Sequence, residues 1–94
     1  MESVLLIGDI DNMFDKLPTL CRQTDYTITK IYPEIKVIIA KKSGRFIFSA
    51  KTSLKLTLWS NERDIINMMI SIEKRGRTVN HLEKDFVSKL YRYF

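Results

Sequence analysis

Residues 26–59 alternate in side-chain character with a period of two, and no other feature constrains the fold of this chain as tightly. Tyr26, Ile28, Lys30 and Tyr32 interleave with Thr27, Thr29 and Ile31. Beyond Pro33, Ile35, Val37 and Ile39 interleave with Lys36, Ile38 and Ala40. Phe46, Phe48 and Ala50 then oppose Arg45, Ile47 and Ser49, and Leu54, Leu56 and Leu58 oppose Lys55, Thr57 and Trp59. Residues two apart share one face of a strand, and these runs are rich in the β-branched and aromatic side chains that fit a pleated surface. Ser43-Gly44 fits a two-residue hairpin loop because Gly takes positive φ without strain, and Lys51-Thr52 marks a second turn. The pattern predicts four strands in an antiparallel meander.

The flanking segments read as helices. Val4, Ile7, Ile10 or Asp11, Phe14 and Leu17 recur at spacings of three and four, which predicts a helix over residues 1–22 that ends or kinks at Pro18. Residues 3–7 also fit a short buried strand. Ser60 to Asp64 reads as a helix start capped by Asn61. The apolar residues Ile65, Ile66, Met68, Met69, Ile70 and Ile72 follow, and Gly76 marks the end. Asn80-His81-Leu82-Glu83 repeats the capping pattern, and Val79, Leu82, Phe86, Leu90 and Tyr93 make a stripe to residue 94. A chain of 94 residues has room for one core. The expected fold is a single α+β domain over residues 1–94: a four-stranded antiparallel sheet with an N-terminal helix and two C-terminal helices on one face.

The charge is unevenly placed. The net formal charge is +5, made of −3 over residues 1–25, +6 over residues 26–60 and +2 over residues 61–94. The excess therefore lies on the strands. Val37, Ile39, Phe46, Phe48, Leu54, Leu56 and Leu58 make one apolar set, expected against the helices. The opposite set collects Lys36, Ile38, Ala40, Arg45, Ile47, Ser49, Lys55, Thr57 and Trp59, a face that is basic without being polar. Cations around flat apolar groups suit RNA or single-stranded DNA, because phosphates pair with Lys and Arg while bases stack on the centre. Lys36, Lys41, Lys42, Arg45, Lys55 and Trp59 are the candidate nucleic-acid-binding residues, with Lys41 and Lys42 reaching from the hairpin tip. Ile38, Ile47 and Trp59 equally suit an interface. The competing reading is thus an inhibitor or adaptor that docks on a host protein, or a chain that pairs with a second copy. An ordinary solvated sheet is the third. Lys74-Arg75-Gly76-Arg77 reads as a helix C-terminus, where cations offset the dipole and Gly closes the last turn.

Little catalytic chemistry is present. Asp9-Ile10-Asp11 begins like a calcium loop, but the sixth and twelfth positions are Phe14 and Leu20 where Gly and Glu are needed. His81 is the sole histidine and lacks a placed partner. Cys21 neighbours Arg22, which favours a thiolate, yet it also reads as a small buried hydrophobe. There is no Walker loop, dinucleotide fingerprint or Cys/His zinc set. The expectation is a binding module with no enzymatic activity, no cofactor and no metal. One cysteine forms no internal disulfide, so a reducing, cytoplasmic setting is expected. No apolar run nears the roughly 18 residues that span a bilayer, and the acidic first 20 residues do not resemble a signal peptide. Twelve Ile and ten Lys beside two Ala match the coding bias of AT-rich genomes such as those of phages, viruses or low-GC bacteria, an association behind the expectation of a phage or viral accessory protein.

Overall fold

The computed structural model describes residues 1–42 and 51–94. Its elements run β1 (Glu2–Ile7), α1 (Ile10–Gln23), β2 (Thr27–Tyr32), β3 (Val37–Lys42), β4 (Thr52–Glu62), β5 (Ile65–Lys74), β6 (Arg77–Thr78) and α2 (Asn80–Tyr93). The described residues form one antiparallel sheet of six strands in the order β1-β5-β4-β3-β2, with β6 beside β5. This corrects the expected four-stranded sheet with one N-terminal and two C-terminal helices. The strand expected over residues 45–50 lies outside the described residues, and with it Arg45, Phe46, Ile47 and Phe48.

Two segments read as helical are strands, for related reasons. Residues 3–7 satisfy either period, and pairing with β5 resolves them as β1, with Val4 and Leu6 buried and Leu5 and Ile7 exposed. In residues 65–74, Ile66, Met68, Ile70 and Ile72 are all buried, while the other parity carries Ile65, Asn67, Met69, Ser71 and Glu73. Apolar side chains on both faces imitate a wide helical stripe, yet Asn67, Ser71 and Glu73 keep the period of two. The Asn61 helix cap is not formed. Asn61 lies in β4, and Arg63-Asp64 makes a tight turn with Asp64 in the left-handed region at φ 63. Gly76 likewise ends no helix. Arg75 and Gly76, at φ 55 and 74, form the two-residue turn from β5 to β6, and two positive φ values are what a type I′ hairpin requires.

Helix α1 begins after Asp9, whose carboxylate accepts from the Asn12 N–H at 3.0 Å. It runs through Pro18 to Gln23, past the end or kink expected at that proline. It ends where the Thr24 hydroxyl donates to the carbonyls of Leu20 and Cys21 and Asp25 turns left-handed at φ 68. Helices α1 and α2 cover the face made by Val4, Leu6, Ile38, Ala40, Leu54, Leu56, Leu58, Ile66, Met68, Ile70 and Ile72. They add Phe14, Leu17, Leu20, Phe86 and Leu90, and the rings of Tyr26 and Phe86 meet edge to face at 6.3 Å. Each fully buried Leu, Ile or Met here contributes about 1.5–3 kcal/mol of apolar transfer.

Glu83 is the exception in this core. Its side chain is fully buried, and one carboxylate oxygen accepts from the Ile72 N–H at 2.8 Å. The other meets only the Met1 amino group, outside hydrogen-bond geometry. The strand ladder explains the placement. The Ile72 carbonyl accepts from the Val79 N–H, but the Val79 carbonyl is taken by the Glu83 N–H as α2 begins. The Ile72 N–H therefore has no strand partner, and the Glu83 side chain supplies one. Glu83 does not complete the expected capping box: α2 starts after Val79 with no side-chain cap.

Candidate nucleic-acid interface

Register decides which charges meet. The last row of the sheet runs Lys42–Thr52–Lys74–Arg77 across β3, β4, β5 and β6. The next row inward runs Thr27–Lys41–Ser53–Glu73–Thr78. Lys51 precedes β4 and Arg75 sits in the turn, so one end of the sheet gathers Lys41, Lys42, Lys51, Lys74, Arg75 and Arg77, with Glu73 the one acid in these two rows. All of these cations except Lys42 are exposed. Residues more than thirty apart in the chain meet here because β4 and β5 form a long hairpin. Reading 74–77 as a helix end concealed this. The alternation of Ile66, Met68, Ile70 and Ile72, followed by Arg-Gly, was the signal that could have revealed it.

The sheet face away from the helices continues the basic end. One row places Lys30, Ile39, Lys55 and Ser71 side by side, so the two lysines flank Ile39 about 10 Å apart at the usual strand spacing. The following row is Tyr32–Val37–Thr57–Met69–Ser3, and the next is Trp59–Asn67–Leu5. Trp59 is 37% exposed on this open face. The face thus grades from lysines at the basic end to Tyr32, Trp59, Leu5 and Ile7 at the other.

The sequence-derived candidates separate under this geometry. Lys55 and Trp59 lie on the open face as expected, and Lys41, expected at the hairpin tip, shares that face through the parity of β3. Lys36 does not: it takes φ 54, turns to the helix side, pairs with Asp11 at 2.7 Å and lies over the Phe14 ring at 5.2 Å. Ile38 is fully buried beneath the helices, so it belongs to no exposed interface. Val37 and Ile39 take the open face in its place, because Val37 pairs with Thr57 and Ile38 with Leu56. Lys42 shares the helix-side parity of β3, its ammonium over the Tyr26 ring at 5.0 Å. Arg45 and Ile47 lie outside the described residues. Lys30, Lys51, Lys74, Arg75 and Arg77 were not among the candidates, and they enter through register alone.

Other groups are accounted for structurally. Asp9 caps α1 and Asp11 pairs with Lys36, which explains the Asp-x-Asp spacing without a metal. Among the described residues no three His, Cys, Asp or Glu side chains gather as metal ligands. Cys21 is fully buried, and burial pushes its thiol from 9.0 up to about 11 against the opposing pull of Arg22. The activating effect expected of Arg22 is therefore outweighed. Burial also raises the Tyr26 hydroxyl, with Asp85 and Cys21 adding to it. No helix among the described residues is long and apolar enough to cross a membrane. Comparison with protein-family models and with curated protein sequences returned no match.

Proposed function

We propose that this protein is a small non-enzymatic module that binds nucleic acid, RNA or single-stranded DNA, through the basic end and open face of its sheet, and that it acts in the cytoplasm. The observation that carries the reading is the register that brings Lys41, Lys42, Lys51, Lys74, Arg75 and Arg77 to one end of the sheet. Clustered cations supply the phosphate contacts that dominate affinity for nucleic acid. Lys30 and Lys55 extend the track onto the open face, where Tyr32 and Trp59 offer rings for bases to stack on.

The test is a fluorescence titration of short single strands and duplexes, read from Trp59, the sole tryptophan. Wild type should bind the single strand with log Kd rising linearly in log salt. Arg75→Ala/Arg77→Ala and Lys41→Ala/Lys55→Ala should each flatten the salt slope by about 1–2 units. Lys36→Ala should leave the slope unchanged, because that ammonium already pairs with Asp11. No binding by wild type at low salt, or equal slopes in all variants, would reject the reading. A second reading, docking on a host protein as an inhibitor or adaptor, is favoured by Leu5 and Ile7, which stand 65% and 87% exposed on the open face. Binding to protein through those residues would be insensitive to salt.

A further inference from the structure

The two edges of the sheet are treated differently by the sequence. The β2 edge carries a register shift between Ile28 and Lys30, the charge of Lys30, and Pro33 just beyond its end. Bulges, lysines and prolines are the devices that stop an edge from pairing with another strand. The β1 edge has none of them: residues 3–7 are Ser-Val-Leu-Leu-Ile, uncharged, regular, and paired to β5 along their whole length. Among the described residues no strand pairs with its outer side.

The direction of its free hydrogen-bonding groups follows from the ladder. Gly8 N–H donates to the Asp64 carbonyl, so Gly8 and Asp64 are a hydrogen-bonded pair, and pairs of this kind recur every second residue. Leu58 N–H to Lys36 carbonyl fixes the same parity from the β4 side. Val4, Leu6 and Gly8 therefore bond to β5. Ser3, Leu5 and Ile7 point their N–H and C=O groups outward. Helix α2 packs on β1 and β5, and Lys89, Arg92 and Tyr93 face α1, so Val87 and Tyr91 on its other flank overhang the same edge. Tyr91 is 55% exposed.

We infer that β1 pairs antiparallel with β1 of a second copy, joining two sheets into one continuous sheet about a two-fold axis at Leu5. In this register Leu5 faces Leu5 of the partner subunit, Ser3 faces the partner's Ile7, and Val4 faces the partner's Leu6. All six outward groups find partners, and Glu2 falls opposite the partner's Gly8, where there is no side chain to bury its charge against. Shifting the axis to Val4 would set Glu2 against the partner's Leu6. A second copy suits this edge electrostatically. Each chain carries +5, yet residues 3–7 of the contact strand carry no charge, and the two-fold places the two basic ends at diagonally opposite corners. The open faces become one surface, with Leu5 and Ile7 of both copies at its centre. The inference does not rest on nucleic-acid binding.

Sedimentation equilibrium and amide hydrogen exchange test it together. Wild type should be dimeric at about 100 μM. Leu5 and Ile7 amides should gain protection as concentration rises, while Val4 and Leu6 amides stay protected throughout. Leu5→Pro removes only an outward N–H, which an edge strand tolerates, and should weaken the dimer about tenfold or more while thermal unfolding of the monomer is little changed. Leu5→Lys, which sets like charges opposite each other on the axis, should do the same. A wild type that stays monomeric overturns the inference and leaves the edge to a strand from another protein. A dimer that persists in both variants, or whose protection appears elsewhere, overturns it by locating association on another surface.

Discussion

Replacing Glu83 tests whether this fold depends on one side chain completing a backbone ladder. Its carboxylate supplies the acceptor at 2.8 Å for the Ile72 N–H, in a position with no exposure to water. Glu83→Ala leaves that N–H buried and unsatisfied. A hydrogen bond to a charged group is worth about 1.5–3 kcal/mol, and an orphaned buried donor costs about as much. Removing the carboxylate also relieves its own desolvation, so the net loss should be about 2–3 kcal/mol. For a domain of this size that lowers Tm by about 8–20 °C. Glu83→Gln retains a carbonyl acceptor for Ile72 and should lose about 1 kcal/mol. Urea unfolding of the three proteins should rank wild type above Gln above Ala, and the Ile72 amide should exchange faster in the Ala variant. Equal stability of wild type and Ala, or of Gln and Ala, would refute the claim that the Ile72 bond is what Glu83 contributes.

Ile38→Ala should cost about 2–5 kcal/mol in urea unfolding, and Ile39→Ala less than half of that, because only Ile38 is fully buried under the helices; equal losses would reject the register of β3. The Cys21 thiol should resist thiol reagents at pH 8 until the protein is unfolded. Its raised folded value favours the neutral form, so its stabilising contribution is complete below about pH 9 and is lost as pH climbs through about 11. Unfolding free energy should therefore fall over that window, and less steeply in Cys21→Ala. Arg75→Asn should stabilise by about 0.5–1 kcal/mol in thermal unfolding, since Asn-Gly suits a type I′ turn and Arg75 holds φ 55; a lower Tm would contradict the turn assignment.

Much of the architecture was legible. The alternation of residues 26–32 and 54–59 reports β2 and β4, Leu54, Leu56 and Leu58 report the core, and the stripe of Leu82, Phe86 and Leu90 reports α2. The errors fall where a segment is apolar on both parities. Val37-Ile38-Ile39-Ala40 gives no contrast between faces, so its alternation could not tell inside from outside. Ile65 to Ile72 carries enough apolar residues on both sides to imitate a helix, and residues 3–7 are too short to choose a period.

The sequence alone determined that this chain is α+β, that its strands carry the positive excess, and that the Asp9 and Asp11 pair lacks the pattern of a calcium loop. Each of these is local: it depends on neighbours two to four residues away or on a sum over the chain. Only the tertiary structure decided that Lys41 meets Ser53 in one row with Glu73, that Lys36 turns to Asp11, and that Glu83 answers Ile72. Those outcomes hang on strand register. A one-residue slip would exchange the two faces of a strand, and register is fixed by packing among strands distant in sequence.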